Sequence, residues 1–333
     1  MTAYLIRRLL WMVPVLFFIA LITFVLMHAA PGGPWDRDPG RRQIDAATQA
    51  RLNEQFGLDK PVWRQFIAYV IGDVDADGEF VCGAVCGNLG PSYRQRGRSV
   101  QEILFSVPEG KQIWESRFGY SLRLGLFALT LAVVIGIPAG ILAALKQNTI
   151  IDYASSFIAN LGVSIPNFVI GIYLIIIFAV TLGWITVVPR SWSEVKVWII
   201  PATVLGFGTM ALTARLTRSS MIEVMRQDYV RTARAKGLRE TSIIQVHMVK
   251  NALIPVVTVL GPALAGLVTG SFIIETMFSF PGIGREYVQA ISNRDYSMIL
   301  GTTLIYGVLI ALANLSVDVI YSFLDPRIRL DSR

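Results

Sequence analysis

Charged residues are scarce in this chain. Asp, Glu, Lys and Arg make up 16% of 333 residues, against 53% hydrophobic ones. A soluble domain carries about 25% charged residues, so one large water-soluble core is a poor reading. Histidine and cysteine are scarcer, with two of each: His28 and His247, Cys82 and Cys86. The histidines lie far from the cysteines and from each other, so no Cys/His metal spacing is present. There is no G-x-x-x-x-G-K-S/T phosphate loop, no H-E-x-x-H and no Ser/His/Asp grouping in the apolar runs. The chain is therefore expected to hold no catalytic residue, cofactor or metal of its own. Any energy it uses must come from a partner.

What the chain does have is long apolar runs. Six approach the ~20 residues that cross a bilayer: about 9–29, 120–145, 153–182, 197–216, 252–272 and 299–323. The third is long enough to tilt or break and contains Pro166. The first is too long for a signal-peptide core, and Ala29-Ala30 before Pro31 is a weak cleavage site, so it reads as a retained span. The expected organisation is a first span within 1–30, an external segment 31–117, and a core 118–323 with five spans. A basic loop, 216–251, falls inside that core, and a tail, 324–333, follows it.

Orientation follows from the basic residues. Around 216–251 stand Arg215, Arg218, Arg226, Arg231, Arg234, Lys236, Arg239 and Lys250, against Glu223, Asp228 and Glu240. The positive-inside rule makes that loop cytoplasmic. Arg7, Arg8, Lys146, Arg327 and Arg329 agree, so both termini are expected in the cytoplasm. The net charge of +7 is thus a matter of topology and lipid surface, not of nucleic acid. The halves of the chain show no inverted repeat, which weighs against a self-contained channel or secondary carrier.

The external segment holds Trp35, Phe56, Trp63, Phe66, Tyr69 and Trp114, enough for a small folded cap with short helices at 45–56 and 61–71. Asp73, Asp75, Asp77 and Gly78 match the first half of a calcium loop, but Ala84 stands where its bidentate Glu belongs. A solvated acidic turn is the plainer reading. Cys82 and Cys86 form either a small disulfide-closed loop on an oxidising face or two free thiols.

Residues 228–238, DYVRTARAKGL, place Tyr229, Val230, Ala233 and Gly237 within an arc of about 100° on a helix. A small, mostly apolar face on a short helix between two spans suits docking into a groove on a soluble partner. The alternative, a basic helix on anionic lipid, would show a larger aliphatic face.

Residues 214–255, ARLTRSSMIEVMRQDYVRTARAKGLRETSIIQVHMVKNALIP, resemble the signature loop of bacterial ABC importer permeases of the dipeptide, oligopeptide and nickel branch, B-type subunit. The general pattern of those permeases, E-A-A, three residues, G, nine residues, I-x-L-P, is not kept. Aligned on Gly237 it falls on Arg231, Thr232 and Ala233, then on His247, Val249 and Lys250. The peptide branch's own version, Arg-Thr-Ala-Arg-Ala-Lys-Gly with a later proline (here Pro255), fits instead. GLDKP (57–61), IGIPAGILAAL (135–145), GVSIPNFVIGI (162–172), ETMFSFPGIGREYVQAISNRDY (275–296) and LDPRIR (324–329) extend the likeness in order.

The resemblance implies an all-α membrane protein of the type I importer fold in the bacterial inner membrane. It implies a C-type permease partner, two cytoplasmic ATP-binding subunits carrying the ATP and Mg, and an external substrate-binding protein. The coupling residues it points to are Asp228, Tyr229, Arg231, Thr232, Ala233, Arg234, Lys236 and Gly237. The expected cargo is di- or oligopeptides, with nickel chelates or oligosaccharides as the alternative.

Pathway candidates are Glu275, the turn Pro281, Gly282 and Gly284, and the pair Asn314 and Asp318. Glu275 reads either as a functional carboxylate at membrane depth or as an interfacial one paired with Arg285 or Arg294. Asn314 and Asp318, one turn apart, read as a hydrogen-bond cluster, and His247 as a packed histidine.

Overall fold

The structure is a computed structural model describing residues 2–35, 45–74, 78–95, 97–107, 109–110 and 112–324. Asp75 and Asp77 of the acidic turn, and Arg327 and Arg329 of the tail, lie outside the described residues. The long elements are α1 (Thr2–Ala29), α5 (Arg117–Leu145), α8 (Lys196–Met225), α11 (Lys250–Val268) and α14 (Tyr296–Leu324).

Among the described residues, five helical stretches are long and apolar enough to cross a membrane: Ile6–Ala29, Arg117–Leu145, Lys196–Met225, Glu240–Val268 and Tyr296–Ser316. A bent pair, α6 (Ile150–Ser164) and α7 (Asn167–Leu174), with α7 running on as a wider π turn, Ile175–Thr181, and a bend of 112° between the two, is apolar enough for a sixth, as one broken span or as a re-entrant loop. Pro166 explains the break. Its ring drives Ile165 into extended backbone (φ −94°, ψ 128°), and lacking an N–H it starts a new helix better than it continues one. Leu10, Trp11 and Val13 on α1 are more than 60% exposed, as are Val134 on α5 and Phe157 on α6. Such surface is stable only in lipid or against another subunit.

Two predicted limits move. The fourth span continues to Met225, well past residue 216, so much of the predicted loop is helix. The fifth ends at Val268 and not at residue 272, because Gly270 at φ +78° turns the chain and α12 (Phe272–Met277) starts afresh, capped by the Ser271 side chain. At its other end α11 is preceded by α10 (Glu240–Ser242) and a π stretch, Ile243–Val249.

The chain divides into two compact units. The first comprises residues 1–120 and 281–311, the second 121–280 and 312–333. In the second, α8 packs on α6, α7 and α11. Glycines let it meet α5 closely: a methyl added at Gly136 would stand 2.7 Å from the Met210 carbonyl oxygen, and one at Gly206 2.6 Å from that of Ala128. Small residues are what allow such backbone approach inside a bilayer, where apolar burial gives helices no advantage over lipid.

In the first unit the external segment shares a core with α1 and residues 283–306, built on Phe24, Phe66, Leu104, Ile283 and Met298. It includes α2 (Ala46–Gln55), capped by Asp45, and α3 (Val62–Val70), close to the predicted 45–56 and 61–71. A short antiparallel hairpin follows, β1 (Gly72–Val74) with β2 (Phe80–Cys82). Then comes α4 (Val100–Phe105), opened by a Ser99/Glu102 capping box. Cys82 and Cys86 are joined by a disulfide. Asp295 ties the segment down: it accepts from the Ser92 hydroxyl and the backbone N–H of Tyr93 (3.1 Å) and Arg94 (3.3 Å), and from Met298 N–H in the first turn of α14.

Candidate coupling site and pathway residues

The helix predicted around 228–238 is α9 (Asp228–Ala235). Asp228 in its first turn and Arg234 in its last suit the helix dipole. Gly237 ends it. At φ +72° it sits in the left-handed region, where Gly237 N–H bonds Arg234 O (2.9 Å) and Leu238 N–H reaches Ala233 O (3.4 Å), a Schellman stop. A methyl at Gly237 would meet nothing within 4 Å, so only the backbone angle demands glycine there.

The small apolar face is turned the other way from the one expected. Val230 (0% exposed) and Ala233 (5%) are packed against Ala144, Met221, Ile243, Met248 and Ala252 of the same chain. The stripe that reads as a docking face in the sequence therefore seats the helix on its own body. Hydrophobic burial within the chain claims an apolar stripe first, leaving the polar flanks for any partner. Ala233 accordingly belongs to the seat. Asp228, Tyr229, Arg231, Thr232, Arg234, Lys236 and Gly237 are all exposed. Arg234 pairs with Glu240 at 2.7 Å, and Arg231 stands 3.6 Å from Asp228.

A neighbouring ion pair was not anticipated from the sequence. Asp152, in the first turn of α6 and 1% exposed, takes a two-pronged bond from Arg218 of α8. The Nη2 arm is 2.8 Å long, and Asn148 N–H (3.0 Å) and the Ser156 hydroxyl (3.4 Å) add to it. A carboxylate at the head of an apolar run was the available signal, since ionisable groups at membrane depth default to a functional or paired role. Beside the pair lies a cavity of about 220 Å3, lined by Gly140, Ser155, Ser156, Asn160, Arg215 and Arg218 among others.

Glu275 is completely buried on α12 and accepts a hydrogen bond from the Ser121 hydroxyl (2.9 Å). Gly282 is the N-cap of α13 (Ile283–Asn293), Gly284 is buried in its first turn, and Pro281 precedes both. Glu286, also on α13, pairs with Arg117. Burial pushes its carboxyl up, with the guanidinium pulling the other way. On α14, Asn314 is exposed and Asp318 half-buried one turn later. Asp73 is held by Lys60 (2.7 Å) and Arg64 (3.6 Å), and among the described residues no three His, Cys, Asp or Glu side chains gather as metal ligands would. His247 lies half-buried in the π stretch before α11.

Apolar helices joined by a short, seated, outwardly charged helix define a multi-pass membrane protein. Comparison with known proteins makes the class specific. Residues 136–330 match the family model described as binding-protein-dependent transport system inner membrane component, and residues 1–112 match the N-terminal model of the same system. The chain belongs to that family. It is 39% identical over 333 residues to the dipeptide transport system permease protein DppB of Bacillus subtilis, covering all of both chains. To the oligopeptide transport system permease protein OppB of Escherichia coli K12 it is 39% identical, covering 99% of this chain and all of that one. Among solved structures, an inward-facing MetNI methionine ABC transporter chain matches with a TM-score of 0.50 at 21% identity, over 63% of this chain and 94% of that one, a likeness of fold.

Proposed function

We propose that this chain is one of two permease subunits of an ATP-driven importer for di- or oligopeptides, the B-type partner of a C-type permease. Both ends lie in the cytoplasm, as the basic residues from Arg215 to Lys250 require. Two cytoplasmic ATP-binding subunits supply ATP and Mg, and an external binding protein delivers the peptide. The DppB and OppB relatives, similar from end to end, support the peptide cargo.

One observation carries the mechanical part: α9 is fixed to the body by Val230 and Ala233 while its charged flank faces outward. A helix held so moves as part of the body it sits on, and a partner gripping Asp228, Tyr229, Arg231, Thr232, Arg234 or Lys236 moves both. Closure of the ATPase pair is thereby passed to α5, α8 and α11, whose side chains or neighbouring segments share that seat. Glu275, the Pro281–Gly282–Gly284 turn, Asn314 and Asp318 are the residues proposed to border the pathway.

The test is Gly237→Val in the full complex reconstituted in vesicles. A β-branched residue at φ +72° costs roughly 1–3 kcal/mol locally and removes the helix stop. ATP-driven dipeptide uptake should be abolished at normal membrane insertion; unchanged uptake would sink the coupling role.

A further inference from the structure

A cavity of about 740 Å3 lies within the first unit, walled by α1, α2, α3, the hairpin and the start of α14. Its size falls in the range of about 300–1,000 Å3 that small-ligand sites occupy. Phe24, Phe56, Tyr93 and Tyr296 give it aromatic walls. Most of its polar groups are already engaged. Lys60 holds Asp73 at 2.7 Å, and the Gln65 amide donates to Leu58 O (3.1 Å) and Lys60 O (2.7 Å).

Among the wall groups that are not engaged, three stand out by their chemistry. The Tyr69 hydroxyl is buried with no hydrogen-bond partner. Arg51 and Glu54, one turn apart on α2, make no ion pair or side-chain hydrogen bond with any described residue. A buried hydroxyl gains from any polar group brought beside it. Burial also pushes the Tyr69 phenol up, so it stays a donor at any working pH. The unspent chemistry thus includes a cation, an anion and a phenol beside aromatic rings, with the Gln55 amide near them.

We propose that this cavity is a binding site for a short peptide with free termini and an aromatic side chain, with Glu54 meeting its ammonium, Arg51 its carboxylate and Tyr69 a backbone polar group. Side chains one turn apart stand about 5–6 Å from each other at Cβ. That spacing is of the order needed for both ends of a dipeptide, whose ammonium and carboxylate lie beyond α-carbons about 3.8 Å apart. The aromatic walls take the side chain. The choice of a peptide rests on the transport reading above, but the site itself is on the permease chain and distinct from α9.

The experiment is equilibrium dialysis of radiolabelled Ala-Phe against the purified full-length chain in phosphatidylglycerol nanodiscs. One saturable site is expected. Tyr69→Phe, which keeps the ring, should weaken it about fivefold, and Arg51→Gln and Glu54→Gln about tenfold or more each. Arg51 and Glu54 are exposed enough that neither change threatens the fold. Ala-Phe blocked at both termini should not compete. No saturable binding, equal competition by the blocked peptide, or indifference to all three substitutions would overturn the proposal. Displacement of the label by phosphatidylethanolamine added to the nanodiscs would also overturn it, marking the cavity as a lipid site. ATP-driven Ala-Phe uptake by the whole complex separates the two readings. Uptake without binding to the chain removes the cavity and keeps peptide transport; binding without uptake does the reverse.

Discussion

Removing both members of the Arg218–Asp152 ion pair should cost no more than removing Arg218 alone. Asp152 is 1% exposed, and Arg218 supplies two of its bonds, so Arg218→Met leaves a carboxylate buried with only Asn148 N–H and the Ser156 hydroxyl. Unpaired buried charges cost about 3–5 kcal/mol, and the 30% exposure of the Arg218 side chain, which lets water reach the site, puts the expected loss near the lower figure, ~3 kcal/mol. Asp152→Asn keeps a polar group in place but discards the charge attraction, at about 2 kcal/mol. The double variant removes the charge as well as its partner and should cost no more than about 3 kcal/mol, a coupling of ~2 kcal/mol. Denaturation of the purified chain in detergent, followed by circular dichroism, measures all four proteins. If the two single losses simply add, or if each stays below about 0.5 kcal/mol, the pair does not clamp α6 to α8. Because the clamp lies two turns before the end of α8, which leads directly into α9, the same variants should also lower ATP-driven uptake.

Four further outcomes are expected. Val230→Ser puts a hydroxyl into a site with no exposure and should unseat α9, costing roughly 1.5–3 kcal/mol and uncoupling ATP hydrolysis from uptake in vesicles. Arg231→Glu, on the exposed flank, should leave thermal stability unchanged while weakening co-purification of the ATP-binding subunits. Replacing Cys82 and Cys86 by Ser opens a loop with a sequence separation of 4, so the external segment should lose only about 2 kcal/mol, read as faster proteolysis between α3 and α4. Burial pushes the Tyr93 phenol up to about 12, so the folded chain holds that proton more tightly than the unfolded one. Its contribution is intact below pH 10 and is lost as pH rises through 12. Absorbance at 295 nm should show late-titrating tyrosines, Tyr69 and Tyr93 among them, and Tyr93→Phe should remove one of these while leaving Tyr69.

Residue pattern made the spans legible because each is a local property: an uninterrupted apolar run must cross the bilayer or be buried. The helix stop at Gly237 was legible for the same reason, since a left-handed backbone angle favours glycine wherever it occurs. Limits shifted where a local signal competed with another. Thr269–Gly270 lies inside an apolar run, and hydropathy does not register the turn that Gly270 makes. Residues 216–225 are charged enough to read as loop, yet they continue α8 because Thr217 and Met221 are buried along one face.

The sequence by itself determined that this chain lives in a membrane, how many apolar runs it has, and that a short helix interrupts its basic connection. Composition and periodicity carry that information residue by residue. Only the tertiary structure decided which face of α9 is buried, because Ala144, Met221, Ile243, Met248 and Ala252 come from three separate stretches of chain. The same holds for Asp152 and Arg218, 66 residues apart, and for the wall that sets Arg51 and Glu54 beside Tyr69. Such pairings depend on how helices cross, and no local pattern encodes that.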